Sequence, residues 1–444
     1  MAETSTNLPS ITKEYSLLLD LKSLISAYFK SVINIKQNIK DGNKYRFNFD
    51  IWLYTPLGVF RPPKIDRSHM NILFFHPDQS GTRACKLTRE NLKSGCGFSG
   101  TDTALVEVAC GLASKGHRVV VTGAYGFGYI TEGVEFVAFN DLFSMGDFLA
   151  GVDVYCPLFY LDSHENRCIM DSLGPRAAVW VWFQCFVGDG LLHELRGSGR
   201  RVLGSFLSDY MVPHYDPGLF HSSVVIGNGV DDSLFSENFL STIKNWAFKN
   251  KSDRSGKWVF HACWERGGRV AERTHEYVRA RDPLAAKGLS KVSYYTPDHG
   301  TNGSLSKSAL FSLLSQSDYF VYPLVLEDGR VHHDTYGCVI LEALAMGVLV
   351  VTWNVACIPS VYGDFVLALE PHGDYDPFAK FTHNHWMNSE SAVDALGKAV
   401  LGLEKDPIRK NLMRSKGVKW ARNQTWNSRV SLYEKWLLSS LATS

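Results

Sequence analysis

The most informative segment for the fold is HHDTYGCVILEALAMGVLVVTW, which spans His332–Trp353. Its middle part, Val339–Met346, is predicted to be a helix, and Gly347 ends that helix as a glycine after the last turn commonly does. The apolar strand Val348–Thr352 follows at once. A helix that leads directly into an apolar strand is typical of alternating α/β units with a parallel sheet.

The same alternation continues on both sides of this stretch. The helix Leu305–Ser317 lies upstream of it, and helical patterns extend from about Ser391 to Leu441. After the polar segment Lys244–Lys257, the predicted strands are Trp258–Ala262, Lys291–Tyr295, Tyr319–Pro323, Val348–Thr352 and Phe365–Leu369.

The first half of the chain has its own alternating series. The strand Asn71–Phe75 leads into a glycine-rich loop, SGCGFSGTD (Ser94–Asp102), and then into the helix Thr103–Lys115. Further strands are predicted at Arg118–Thr122, Glu135–Phe139, Val152–Cys156, Ala178–Phe183, Val202–Ser205 and Ser223–Ile226. We therefore expect two α/β domains, with ligands in the cleft at the carboxyl ends of the strands.

Both ends of the chain differ from this pattern. Apolar residues at alternating spacings of three and four predict one amphipathic helix from about Ser10 to Lys40. This helix either packs on the body of the protein or contacts a second copy or a membrane surface. The segment Leu401–Ser444 holds nine Lys/Arg against three Asp/Glu, which predicts either a solvated helix face or contact with an anionic membrane.

Composition excludes several classes of protein. The 444 residues carry 46 Lys+Arg against 45 Asp+Glu, and 45% are hydrophobic, so the chain is neither disordered nor basic enough to favour nucleic acid as a partner. No apolar stretch has the length of a membrane-spanning helix, and the N-terminus does not have the pattern of a secretory signal. Nine cysteines without a CxxC pair predict a cytoplasmic, reducing location and no metal site.

The segment His332–Trp353 also carries polar groups. Asp334 and Glu342 are eight residues apart, and Gly337 lies between them at the predicted start of the helix. A helix N-terminus favours anions, and the two carboxylates can accept hydrogen bonds from ligand hydroxyls. The pattern predicts a ligand that is both phosphorylated and rich in hydroxyls; the alternative is an ordinary helix with Asp near its N-cap.

Four segments in order resemble the retaining GT-B glycosyltransferases, in particular glycosyltransferase family 4. The Asp334–Glu342 pair resembles the E-x7-E motif of that family, with Asp in place of the first Glu. The other three segments are Gly100–Val121, the NGVD run in Ile226–Asp231 with Phe235 beyond it, and the basic turn Cys263–Gly268, while Gln424–Trp426 also fits. The resemblance covers roughly residues 70–440.

This resemblance implies a GT-B fold and a division of the chain. The implied parts are a helical extension (residues 1–67), an acceptor-side Rossmann-like domain (68–240), a donor-binding Rossmann-like domain (241–420) and a C-terminal helix that packs back toward the first domain (421–444). It also implies a UDP- or GDP-sugar as co-substrate, a glycan acceptor, retention of anomeric configuration and no obligatory cofactor or metal.

The resemblance further implies roles for individual residues. Asp334 faces the transferred sugar, Arg266 pairs with the donor diphosphate, and Glu342 accepts hydrogen bonds from the ribose. The remaining donor-binding residues implied are Tyr336, Gly337, Cys338, Val339, Gly267 and Arg269. The loops of the first domain contribute Gly97, Gly100, Thr101 and Gln184, of which Gly97 and Gly100 permit a close approach because they have no Cβ.

Three departures from the family pattern leave alternatives open. Asp334 is one methylene shorter than the usual Glu, the basic turn has His261–Ala262 where a Gly-Arg pair is usual, and Gln184 stands where many members have a His. A non-catalytic GT-B protein that binds a sugar nucleotide or glycan is therefore the main alternative. A GT-B epimerase or phosphorylase and a membrane-surface scaffold are the others.

Overall fold

In a computed structural model of the protein, the first part of the chain forms an eight-stranded sheet. The structure describes residues 69–77, 86–94, 98–123, 128–158, 161–235, 256–292, 305–371, 375 and 387–442. The strand order is β3-β4-β2-β1-β5-β6-β7-β8, and every neighbouring pair is parallel except β3 and β4. The strands are β1 Asn71–His76, β2 Arg118–Gly123, β3 Tyr129–Thr131, β4 Val134–Ala138, β5 Val154–Pro157, β6 Ala178–Phe183, β7 Val202–Phe206 and β8 Ser222–Val225.

Helices lie between most of these strands, because a parallel pair needs a connection that crosses back over the sheet. The longest of them begins at Gly100, because the Ser99 hydroxyl accepts from the Asp102 amide and the Asp102 carboxylate accepts from the Ser99 amide. The helices are α1 Arg89–Ser94, α2 Gly100–Ser114, α3 Phe139–Leu142, α4 Gly146–Ala150, α5 His164–Ser172 and α6 Asp189–Gly197, with 3-10 turns at Val212–His214, Pro217–Leu219 and Asp232–Phe235.

A second, five-stranded sheet follows, and all of its strands are parallel, in the order β10-β9-β11-β12-β13. Its strands are β9 Lys257–His261, β10 Gly288–Val292, β11 Tyr319–Tyr322, β12 Leu349–Trp353 and β13 Leu367–Leu369. Its helices and those that follow are α7 Gly268–Arg281, α8 Lys307–Ser315, α9 Cys338–Ala345, α10 Ile358–Val361, α11 Ser389–Glu404, α12 Pro407–Ala421 and α13 Trp426–Ala442, with a 3-10 turn at Trp264–Arg266.

The last two helices pack on different sheets. Helix α12 lies against α9, where Gly417 contacts Leu344 closely. Helix α13 lies against α2, where Gly111 leaves room for Val430. None of the described helices is long and apolar enough to cross a membrane.

The predicted class of two parallel-sheet α/β units is confirmed. The strand predicted at Lys291–Tyr295 begins earlier, at Gly288, because pairing with β9 starts there opposite Lys257. Residues 293–295 of that prediction lie outside the described residues. Phe139 begins a helix instead of ending a strand, and α2 begins three residues before Thr103.

Two other sequence expectations have a different outcome. The antiparallel edge strand β3 was not expected; it pairs with β4 through a tight turn in which both Glu132 and Gly133 have positive φ. The predicted helix Ser10–Lys40, and with it the expected dimer or membrane contact, lies outside the described residues. The domain boundaries stay predictions.

Candidate functional site

Three side chains meet at the carboxyl edge of the second sheet. Arg266 lies in the turn after β9, Tyr322 is the last residue of β11, and Asp334 precedes helix α9. The Arg266 Nη1 group donates to Asp334 Oδ2 at 3.0 Å and to the Tyr322 hydroxyl at 3.1 Å. The Tyr322 hydroxyl donates to the same Asp334 oxygen at 2.7 Å, so the three groups form a closed triangle.

Charge and burial fix the ionisation of this triangle. Burial alone would raise the pKa of Asp334, but the Arg266 guanidinium brings that pKa below its ordinary value. The Asp334 carboxylate in turn holds the pKa of Arg266 well above its ordinary value. The Asp334 side chain is 7% exposed and the Arg266 side chain 30%, so the cation reaches solvent while the anion behind it is buried.

The backbone beside Arg266 requires glycine. Gly267 has φ +102°, and a Cβ there would lie 2.8 Å from the Val325 carbonyl oxygen and 2.9 Å from Pro323. The Leu324 amide donates to the Arg266 carbonyl at 3.2 Å. The segment that follows β11 therefore holds the turn in place and fixes the direction of the Arg266 side chain.

Helix α9 begins beside this triangle. Gly337 has φ +72°, its carbonyl accepts from the Tyr362 hydroxyl at 3.1 Å, and Cys338 and Val339 supply amides of the first turn. These first-turn amides have no partner within the helix, which gives the helix start a positive field. Tyr336 is buried, and its hydroxyl donates to the Asn228 carbonyl at 3.0 Å. It therefore anchors the start of α9 to the segment that follows β8.

Glu342 lies two turns into α9 and has a partner that the sequence did not reveal. Lys307, at the start of α8, forms an ion pair with Glu342, and His261 Nδ1 lies 3.9 Å from the other carboxylate oxygen. Burial lowers the pKa of His261 well below its ordinary value, so the imidazole is neutral. Lys307 is therefore the cation beside Glu342, and no spacing in the sequence relates these two residues.

The same carboxylate lines a cavity between the two sheets. Lys307 and Glu342 form one wall, and Lys93 of α1 with Thr103 and Glu107 of α2 form the other. Burial raises the pKa of Glu107 to about 7, although Arg89 lies 2.8 Å away and opposes this shift. The cavity thus combines groups of both charges with a carboxyl that titrates near neutral pH.

The sequence also predicts three residues of the first domain, at or just before helix α2, as part of the site. Gly100 is the first residue of α2, and a Cβ on it would lie 3.7 Å from the Cys338 sulfur, so the two helix starts meet. Thr101 is the next residue of that helix and is half-buried. Gly97 lies outside the described residues.

Gln184 serves a structural role in this structure. Its side-chain amide exchanges hydrogen bonds with that of Asn228 at 3.3 and 3.2 Å, and the Gln184 backbone carbonyl accepts from the Thr335 hydroxyl at 3.1 Å. Asn228 also donates to the Cys338 sulfur at 3.1 Å. Gln184 therefore ties the first sheet to the segment between Asp334 and α9.

Arg269 is not brought to the triangle. It is half-exposed on α7 and forms an ion pair with Glu272, with Glu327 at 4.0 Å. The open pocket that it lines contains Trp264, Glu265 and Asp328, but neither Asp334 nor Glu342. The second cation near the site is Lys307 rather than Arg269.

A buried His–Asp pair also went unnoticed in the sequence. His76 ends β1, and its Nε2 lies 2.9 Å from Asp102 Oδ1 in the first turn of α2. Both residues are 3% exposed, and the other Asp102 oxygen accepts from the Ser99 hydroxyl at 2.7 Å. This pair fixes the start of α2 against the end of β1. Among the described residues, no group of three His, Cys, Asp or Glu side chains is arranged to hold a metal ion.

No protein-family model and no curated protein sequence matches the chain. The solved structures give clear matches at low sequence identity. Sucrose-phosphate synthase from Thermosynechococcus elongatus is 11% identical with a TM-score of 0.58, and the match covers 84% of this chain and 99% of that one. A glycosyltransferase from Rickettsia africae is 13% identical with a TM-score of 0.56, over 84% of this chain and 99% of that one.

A third similar structure contains ligands. HepE from Anabaena, solved in complex with UDP and glucose, is 12% identical with a TM-score of 0.52, over 84% of this chain and 100% of that one. At these identities the likeness establishes the fold alone. Together with the two parallel sheets, it shows that this chain has the GT-B fold of these glycosyltransferases.

Proposed function

We propose that this chain is a retaining glycosyltransferase that moves a sugar from a nucleoside diphosphate sugar to a hydroxyl acceptor, without an obligatory metal. The observation that carries the proposal is the Arg266–Tyr322–Asp334 triangle beside the start of α9. It places a cation that reaches solvent next to a helix N-terminus, at the edge of a parallel sheet where ligands bind.

Arg266 is the group that stabilises the leaving diphosphate. Only its Nη1 is used by Asp334 and Tyr322, and guanidinium has further N–H donors for phosphate oxygens. Asp334 and Tyr322 hold the guanidinium in place before the donor arrives, which is the preorganisation that electrostatic catalysis requires. In this arrangement Asp334 positions Arg266 at the side of the site where the transferred sugar lies.

The helix start and Glu342 complete the donor site. The amides of Gly337, Cys338 and Val339 meet phosphate or sugar oxygens through the positive end of α9. Glu342 accepts from the ribose hydroxyls, and the ion pair with Lys307 orients that buried carboxyl. Because HepE was solved with UDP, a UDP-sugar is the first donor to test, with GDP-sugars next.

The reaction needs no protein base. The bond between the sugar C1 and the phosphate oxygen breaks, and its electron pair stays on the diphosphate beside Arg266. The acceptor oxygen bonds to C1 from the face that the leaving group vacates, and its proton passes to the departing phosphate oxygen. Arg266 and the α9 amides stabilise the negative charge that develops on the diphosphate.

The test is turnover with a panel of UDP-, GDP- and ADP-sugars and simple glycoside acceptors, with nucleoside diphosphate release as the readout. We expect release with one donor class, unchanged activity in EDTA, a product with the anomeric configuration of the donor by NMR, and loss of activity in Arg266→Ala. Arg330→Ala, in an exposed ion pair with Asp328, is the matched control. Binding of a sugar nucleotide without turnover would favour the non-catalytic alternative.

A further inference from the structure

Helix α12 has two large apolar side chains on its solvent-exposed face. Ile408 is 81% exposed and Leu412 is 54% exposed, and the two are four residues apart on one face of the helix. The opposite face is the packed one: Gly417 and Ala421 are buried there, and Gly417 lies against Leu344 of α9. The exposed face is therefore the outer surface of a firmly held helix.

Cations lie between these apolar residues and along the helix beyond them. The segment Pro407–Arg422 has six Lys/Arg and no Asp/Glu. Two of the six face inward and are neutralised: Lys410 pairs with Glu404, and Arg414 with Asp318. The helical period places the other four on the exposed face with Ile408 and Leu412, and none has an ion-pair partner among the described residues: Arg409, Lys416, Lys419 and Arg422.

We propose that this face of α12, made of Ile408, Leu412, Arg409, Lys416, Lys419 and Arg422, docks on an anionic lipid membrane. An interfacial helix likewise combines apolar side chains that enter the boundary of the acyl chains with cations on the same face that meet the headgroups. Each Lys or Arg near an anionic surface contributes about 1 kcal/mol.

Other partners fit the face less well. A nucleic acid or another polyanion satisfies the four cations but gives Ile408 and Leu412 no apolar environment. A second copy that uses the same face brings like charges together, because a two-fold contact pairs each patch with itself. Of these three occupants, the lipid surface is the one that matches both the charge and the apolar side chains. This docking is independent of glycosyl transfer.

Co-sedimentation of the full chain with vesicles tests the proposal. We expect binding to vesicles that contain phosphatidylserine, weak binding to pure phosphatidylcholine, and loss of binding in high salt. The double variant Ile408→Asp/Leu412→Asp and the double variant Lys416→Glu/Lys419→Glu should each weaken binding, by about fivefold or more per residue changed. Circular dichroism and thermal unfolding confirm that each variant is folded.

Matched controls change the same residue types elsewhere. Ile130→Asp alters a residue that is 75% exposed on the edge strand β3, and Lys398→Glu alters an exposed lysine of α11. Both should bind vesicles like the unmodified chain. The proposal is overturned if the chain does not bind phosphatidylserine vesicles, or if the α12 variants bind as the controls do. A dimer in vesicle-free solution that is lost in Ile408→Asp/Leu412→Asp would instead make this face a protein interface and overturn it.

Discussion

The Arg266 guanidinium and the Asp334 carboxylate are 68 residues apart in the chain and 3.0 Å apart in space. Their contact joins the turn after β9 to the start of α9, and Tyr322 at the end of β11 closes it. Parallel strands bring their carboxyl ends to the same edge, so three separate segments converge there. The cation is thus held in position by the protein itself.

This pair should be energetically coupled. Arg266→Ala and Asp334→Ala each remove a hydrogen-bonded partner of a mostly buried group, so each should lower the free energy of unfolding by about 1–3 kcal/mol. The double variant should lose less than the sum of the two, by more than about 0.5 kcal/mol. Urea unfolding of the four proteins measures this. The exposed Arg330–Asp328 pair is the control cycle, with an expected coupling of about 0–1 kcal/mol, and additive losses for Arg266 and Asp334 would contradict the prediction.

Gly267→Ala should destabilise the chain and impair donor binding together. The added Cβ meets the Val325 carbonyl at 2.8 Å and requires an unfavourable φ of +102°, a strain of about 1–3 kcal/mol. Thermal unfolding and UDP titration report the two effects. Gly402→Ala is the control: it lies in helix α11 with open space around it and should stabilise the chain by up to about 1 kcal/mol. Equal behaviour of the two variants would argue against the strained turn.

Lys307→Met should weaken nucleotide binding through Glu342. Without the cation, the Glu342 carboxyl is left buried beside a neutral His261, and the hydrogen bonds to ribose that we propose for it should weaken. Calorimetry should show that the affinity for both uridine and UDP falls by a factor on the order of ten, which is about 1.4 kcal/mol of binding free energy. Lys398→Met, which removes an exposed ion pair with Asp394, should change neither. A loss confined to UDP would place Lys307 on the diphosphate instead, and no loss would remove it from the site.

Glu107 should make stability depend on pH. Burial raises its pKa in the folded chain from 4.5 to about 7, so the folded state binds this proton more tightly than the unfolded state. The stability that the protonated Glu107 adds to the folded state is fully present below pH 4.5 and is lost as the pH rises through about 7. As the pH rises from acid to neutral, the melting temperature of the unmodified chain should therefore fall relative to that of Glu107→Gln. A constant difference would show that the pKa is not raised.

The local rules in the sequence located most of the elements. Val339–Met346, Gly347 and the following apolar run predicted α9 and β12 within one residue at either end, because periodicity and a helix-ending glycine act locally. Prediction was poorer where strand pairing sets the bounds: β10 begins three residues before its predicted start, opposite Lys257 of β9, and the short edge strand β3 pairs with β4. Neither segment has a pattern of its own that specifies these ends.

Sequence patterns predicted the two α/β units and the helix starts next to glycine, and they singled out Arg266, Asp334 and Glu342. Which groups meet is known from the folded chain: Asp334 meets Arg266 and Tyr322, Glu342 meets Lys307, and Gln184 meets Asn228. The reason is physical. Helix periodicity and capping depend on neighbours in the chain, whereas an ion pair depends on where the ends of distant strands are placed by sheet order, which no local spacing encodes.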